Sequence, residues 1–414
     1  MRAAHTSLLL SLAAALILSQ CSPDRETSHA FAAEEIDGVL TVENTGGPKY
    51  REQLFRLEKA VTLLPDPDHP SSFLRNPTDI AADGYGHFFV IDGLGCTVAV
   101  YDSAGSFLRT IGRPGGGPGE FDYLMLVGVY DGVLTLWDFA LRRLTRFRTD
   151  GTLIDVNPIP IQERRVLKSL MTPEDHWIIT NFTNTEEGQT LLTGIEFMSV
   201  DSHGETIGSF TSDQIPTDYR TTIVLAGREV PFWESIPFSI LPQAEYRRGR
   251  DVVISIGIEP ELRCYRIDGS LSRVIRLDIE PAPVTSKDRE QHRADIDRQL
   301  EEAKGADKVQ LQSIKDNVVF PEHRPYWGLK IDDTGYLWLP SPESAEAQEA
   351  AGGRMLYRLL SPEGEYLGDM RFPPVSLRIE HGYASGIVTD EETGDKIPTV
   401  WRLIPSAEGF KYPE

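Results

Sequence analysis

Cysteine is scarce in this chain, with three in 414 residues, at positions 21, 96 and 264. So few cannot staple a small disulfide fold, and the absence of any C-x-x-C pair removes thiol-redox chemistry of the thioredoxin kind. HExxH and GxSxG are missing too, so the helix-borne zinc peptidase and the nucleophile elbow lack their minimal residues. These absences exclude only sites that are legible as short motifs, because a site assembled from distant loops leaves no such trace. Basic residues are outnumbered, 41 Lys and Arg against 63 Asp and Glu, and the resulting net charge of −22 would repel a phosphate backbone. The apolar run over 8–18 is too short to cross a bilayer as a helix.

What the chain has is turns and β-formers. Apolar residues make up 40%, beside 35 Gly, 28 Pro, 17 Phe, 14 Tyr and 6 Trp, the balance of a turn-dense β protein with a core. The stretch 76–121, NPTDIAADGYGHFFVIDGLGCTVAVYDSAGSFLRTIGRPGGGPGEF, holds short runs at 80–82, 86–92, 98–102 and 107–112, each bounded by Gly, Asp or Ser. Four hairpin-linked strands in under about fifty residues form one antiparallel blade, which cannot bury both faces alone.

The blade repeats. Turns of the third-to-fourth strand type recur at 103–105, 149–151, 201–204, 268–269 and 361–364, and turns of the first-to-second type at 83–84, 131–132, 173–175, 249–251, 333–335 and 380–382. Between them lie matching second strands (HFFVID, VLTLWD, HWIITN, VVISIG, YLWLPS, YASGIV) and matching third strands ending in VWRLIP at 400–405. The sixth unit lacks a fourth strand, and the unassigned run 54–64, LFRLEKAVTLL, is the segment to supply it, closing the ring and removing an exposed edge. The expected fold is therefore all-β: a six-bladed β-propeller of four-stranded antiparallel blades over 51–405, closed by an N-terminal strand, with a tail at 406–414. Cys96 and Cys264 fall in blades on opposite sides of such a ring, too far apart to pair, and are expected as free thiols.

The run PTDIAADGYGHFFVID and the connector GRPGGGPGEF resemble an NHL repeat, and the chain as a whole resembles bacterial six-bladed propeller lipoproteins built from such repeats. The N-terminus fits that resemblance: Arg2, the apolar run and LSQC resemble a lipoprotein signal over 1–21, implying lipidation of Cys21 and a polar tether over 22–50, although Gln20 departs from the usual small residue. Cleavage near 30–32 is the competing reading. Either way the chain is expected to be exported, and on the first reading it is lipid-anchored to the envelope as a monomer.

Later repeats are longer than the 46 residues from Gly105 to Gly151, and the extra material falls at 211–242, at 282–325 and at 341–353. The first two are blade-to-blade connectors and the third joins second and third strands, positions that emerge on the same face of the disk. Function is expected there, as binding of a protein, peptide or glycan, with Tyr219, Phe232, Trp233, Tyr326 and Trp327 as contact candidates. The segment 287–318 alone shows helical spacing, at Ile296, Leu300 and Ala303 and again at Leu311, Ile314 and Val318, with Thr285 or Ser286 placed to cap it. Trp137, Trp177 and Trp338, all in second strands, are expected in the core.

PGGGPG at 114–119 is not a phosphate loop, because a β-like run follows it where a helix is required. Acids do gather after second strands: Asp92, Asp138, Glu259, Glu343 and 390–392. Six-bladed lactonases hold a divalent cation with Glu, Asn and Asp, so resemblance at that level raises a metal-dependent lactonase or esterase as the alternative function. Asp92, Asp138, Asn181, Glu259 and Asp390 would be the ligands, with Ca²⁺ the fitting ion. No recurring ligand spacing supports them, and acids at hairpin turns ordinarily bond nearby backbone, so the main expectation is a non-catalytic binding propeller without a cofactor.

Overall fold

The computed structural model describes residues 29–158, 168–172, 176–225, 228–375, 377–390 and 392–413. Six blades form in chain order, each built of antiparallel strands in which a first strand is followed by a second that is buried over much of its length. Blade one is 77–82, 88–92, 97–101 and 107–111, and blade two is 124–130, 133–138, 143–148 and 153–158. Blade three comprises Lys168–Met171, Trp177–Glu187, Thr190–Val200 and Thr206–Thr211. Blades four and five begin at Gln243–Arg247 and Lys330–Ile331, and blade six at Arg378–Glu380. The all-β six-bladed propeller expected from the repeats is the fold observed.

The second strands Phe88–Asp92 and Asp251–Ser255 are buried along their whole length, because a blade in a ring presents both faces to neighbours. The buried residues accordingly fall into six cores, one at each blade interface. Trp137 and Trp177 fill the interface of blades two and three, and Trp338 that of five and six. Cys96 packs between blades one and two and Cys264 between blades four and five, both as free thiols.

The ring closes between chain ends. Strand Phe55–Thr62 pairs antiparallel with Lys396–Pro405, in the register Phe55↔Pro405 to Thr62↔Thr399, and is the fourth strand of blade six. Phe55 is fully buried against Trp338, Phe410 and Tyr412, with ring centroids 5.6, 5.1 and 5.0 Å away. The tail is thus part of the closure.

The tether expected over 22–50 needs correction from residue 30 onward. Ala30–Ile36 and Val39–Thr45 form a hairpin, and the second strand runs parallel to Leu271–Leu277 on the outer edge of blade four. Val42 is fully buried in the core of blades four and five. Asn44 donates to Gly364 O at 2.9 Å and accepts from the Tyr366 N–H at 2.7 Å. Lys49 and Tyr50 then donate their N–H groups to Tyr366 O and Leu367 O, so this segment straps blades four and five before entering six. The proposed lipidation site, Cys21, lies outside the described residues.

Replacing Phe55 with Ala removes a fully buried aromatic from the closure and is expected to cost about 3–5 kcal/mol. Urea unfolding checks this; a loss under about 1 kcal/mol would mean the closure carries little of the stability.

Candidate functional sites on the two faces

On the connector face, the three insertions meet. The first continues blade three outward: Ile215–Leu225 pairs with the start of Thr190–Val200, and Arg228–Ser235 adds an edge strand to it. The second is a helical hairpin, α1 (Ser286–Glu302) and α2 (Gly305–Asn317), and the third carries α3 (Ala345–Ala350). Helix α1 starts as its sequence indicates: Thr285 Oγ1 accepts from Asp288 N–H while the Asp288 carboxylate accepts from Thr285 N–H, a capping box.

Asp288 does more than cap. Its side chain is fully buried, and Oδ1 also accepts from the Ala345 N–H at the start of α3 and from Arg324 Nη2, each at 2.8 Å. Burial pushes its carboxyl up, but those bonds outweigh it and hold the group below its ordinary range. Arg324 in turn stacks over Phe238 of the first insertion at 4.2 Å, and Phe238 lies beside His292 of α1 and Phe320. Thr285 and Lys287 bond Glu346 and Glu349 of α3. Three insertions separated in sequence are one body, knotted at Asp288.

The partner candidates divide. Trp327 is fully buried between blades four and five, so its surface is unavailable to a partner, which corrects the expectation; an aromatic beside a long insertion reads the same whether it faces in or out. Tyr326 is half-buried and packs edge-on against Trp327 at 5.6 Å, anchoring the insertion. Trp233 is half-buried on the projecting edge strand with Arg220 at 6.0 Å from its ring. Tyr219 and Phe232 sit on the same hairpin, in register with Glu234 and Thr221.

The acids and amides considered as metal ligands are occupied with the fold. Asp92 takes the N–H groups of Arg75, Asn76 and Gly95, and Asp138 those of Asp122, Tyr123 and Leu141. Glu259 pairs with Arg263, Asp390 takes the N–H groups of Glu392 and Thr393, and Asn181 Oδ1 accepts from Phe182 N–H. Among the described residues no group of three or more His, Cys, Asp or Glu is placed to hold a metal ion.

The channel itself opens elsewhere. A cavity of about 760 Å³ is walled by first strands of the blades and by first-to-second turns at Asp131, Arg248, Arg250, 332–335 and His381. These turns lie on the face opposite the insertions, and no insertion residue lines the cavity. At its centre Arg378 donates to Asp79 Oδ2 at 2.8 Å and to Glu380 Oε1 at 3.1 Å. Burial raises the Glu380 carboxyl, with Arg378 opposing, and desolvation together with Glu380 pushes the Tyr130 hydroxyl up to about 12. Asp332 accepts from Trp338 Nε1 at 2.7 Å and from the Tyr412 hydroxyl, binding the tail to the rim.

On that rim His381 Nδ1 bonds Asp333 Oδ2 at 2.8 Å, joining the turns of blades five and six. Its ring also faces blade one, because a Cβ on Gly84 would sit 3.1 Å from His381 Nδ1, and Gly84 has φ +73°. This turn is therefore suited to glycine twice over. No sequence signal marks the rim, which is assembled from residues in separate blades.

With both faces described, comparison with known proteins places the scaffold. The family model DUF5128, a six-bladed β-propeller, matches residues 73–229, which run from the approach to blade one into the blade-three hairpin. No curated protein matches significantly. Among solved structures, a candidate exported protein of Bacteroides fragilis is 13% identical with a TM-score of 0.47, over 86% of this chain and 98% of that one. A member of the duf4221 family from Bacteroides vulgatus is 12% identical, TM-score 0.42, over 92% and 100% of the two chains. The virginiamycin B lyase of Staphylococcus aureus is 14% identical, TM-score 0.34, over 84% and 100%. Identities this low carry no activity across.

Two outcomes are expected. Asp288→Asn keeps the volume and removes the charge, so it should lower stability by about 1.5–3 kcal/mol and speed amide exchange in α1 and α3 ahead of the blades. Unchanged exchange in both helices would show the knot to be dispensable. The second concerns pH. Hydrogen bonding to Asp333 raises His381 above its ordinary 6.5, and although burial pushes Asp333 up, His381 holds it below 3.8. The His381 contribution is complete below the unfolded value and fades as pH rises through the raised one; that of Asp333 is complete above its unfolded value and fades as pH falls. The pair therefore stabilises the rim most between roughly pH 4 and 6.5. The melting-temperature gap between wild type and His381→Gln should shrink from pH 6 to pH 8, and a gap constant over that range contradicts it.

Proposed function

We propose that this chain is an exported binding propeller, held at the envelope by a lipid on Cys21, that docks a protein on its insertion-bearing face. The carrying observation is an asymmetry of exposed apolar side chains. Leu64, Phe73, Leu94, Tyr123, Phe139, Leu241, Ile258 and Val319 are exposed on connectors or second-to-third turns, all on that face; toward the opposite face the turns expose Tyr85 and Ile36, and Leu108, Leu153, Ile154 and Ile207 are exposed near the starts of outer strands. Exposed apolar side chains gathered on one face of a rigid scaffold suit a protein partner better than a small polar ligand. Leu94, Tyr123 and Phe139 lie on neighbouring blades one and two, with the two rings 5.8 Å apart, and form the centre of the proposed contact. The projecting blade-three hairpin with Trp233 lies next along the ring, and the Asp288-knotted body stands across the same face at blades four and five. The net charge of −22 favours a basic partner.

The test uses the full-length, membrane-anchored chain with Leu94, Tyr123 and Phe139 changed together to Ser. Crosslinking in the native envelope should lose the partner band by tenfold or more while the melting temperature stays within a few degrees. Retention of the same crosslinked partner by the triple variant contradicts the assignment, and capture of a glycan instead contradicts the class of partner.

A further inference from the structure

The channel rim opposite the insertions carries a cation without a counter-ion. Its lining holds as many basic as acidic residues, although acids outnumber bases 63 to 41 in the chain, so the acidic excess of the chain is absent there. Most of the wall charges are mutually satisfied: Arg378 with Asp79 and Glu380, Arg248 with Asp131 at 2.7 Å, and Arg247 with Asp251 at 2.5 Å. Arg250 is different. It lines the cavity, its residue is exposed, and its guanidinium makes no hydrogen bond or ion pair among the described residues.

Its surroundings sharpen the point. Arg247 and Arg273 both donate to Pro362 O, at 2.7 and 3.1 Å, which places their guanidinium groups side by side. Arg273 is bonded there to neutral carbonyls, those of Pro362 and Glu363. Partial desolvation, then the fields of Arg247 and Arg273, pull the Arg250 guanidinium below its ordinary value, and Asp251 and Glu363 only partly offset this. A planar fork of donors left free beside like charge, at the mouth of a concave cavity, is matched by a carboxylate or phosphate. The cavity, at about 760 Å³, has the volume of a small-ligand site, and Tyr130, Tyr246 and Ile331 give it apolar wall.

We infer that the channel binds a small organic oxyanion, carboxylate or phosphate, entering from the face opposite the insertions and seated on Arg250. The docking face proposed above is on the other side of the disk, so either assignment stands without the other. Arg250 stands in the way of its neighbours unless an anion joins them, and this separates a binding role from a structural one.

Calorimetric titration and thermal melting at low ionic strength test this on the whole exported chain, with galacturonate as the carboxylate probe, inorganic phosphate as the phosphate probe and galactose as the neutral control. At least one anion should bind and raise the melting temperature while galactose does neither; Arg250→Gln should weaken that binding roughly tenfold or more. Without anion, Arg250→Gln should melt no lower than wild type, because it removes repulsion, and Arg250→Lys should bind with intermediate affinity. A response to galacturonate alone assigns a sugar acid or other carboxylate, and a response to phosphate alone a phosphate ester. Failure of both anions to bind, undiminished binding by Arg250→Gln, or a lower melting temperature of that variant without anion overturns the inference.

Discussion

Everything in this molecule depends on closing a ring from wedges that cannot stand alone. A four-stranded blade exposes two apolar faces, and each of the six cores lies between blades, so the core linking blades six and one exists only if the chain ends meet. Pairing of Phe55–Thr62 with Lys396–Pro405 makes that meeting, and Phe55, Phe410 and Tyr412 pack the joined ends against blade five. The strap over blades four and five extends the same principle, since Val42 and Asn44 tie the N-terminal hairpin to two blades at once.

A rigid disk has two faces, and here they differ in chemistry. The connector face is enlarged by insertions knotted through Asp288 and exposes apolar side chains, while the rim turns gather paired charges around a cavity and leave Arg250 without a partner among the described residues. Neither face borrows residues from the other. On the readings proposed above, one scaffold carries two sites of unlike character, the first for a protein surface and the second for a small anion.

Blade number, strand order, ring closure and the place of each insertion were legible in the chain, because turn residues recur at fixed intervals and β-period runs lie between them. The helical hairpin was legible down to its Thr285 cap. The hairpin at 30–45 was not: VENT and AAEE read as polar spacer, and only pairing with Leu271–Leu277 makes Val42 a core residue. Trp327 looked like a contact residue because insertion and core adjoin at that position. Asp288 was not singled out at all, because its bonds to Arg324 and Ala345 span 36 and 57 residues. The rim was invisible for a related reason. Arg250, Asp131, Asp333 and His381 are ordinary turn residues one blade at a time, and become a site only when the ring sets them around a common axis.

The central claim is that the two faces are functionally distinct and that the partner sits on the insertion side. Hydrogen exchange of the anchored chain in its native membrane, compared with the isolated chain, measures this directly. The account predicts slowed exchange in segments holding Leu94, Tyr123, Phe139 and the blade-three hairpin, with the turns at Gly84, Asp131, Arg250 and Asp333 unchanged. Protection at those rim turns, with the insertion face exchanging as freely as in isolation, would contradict it.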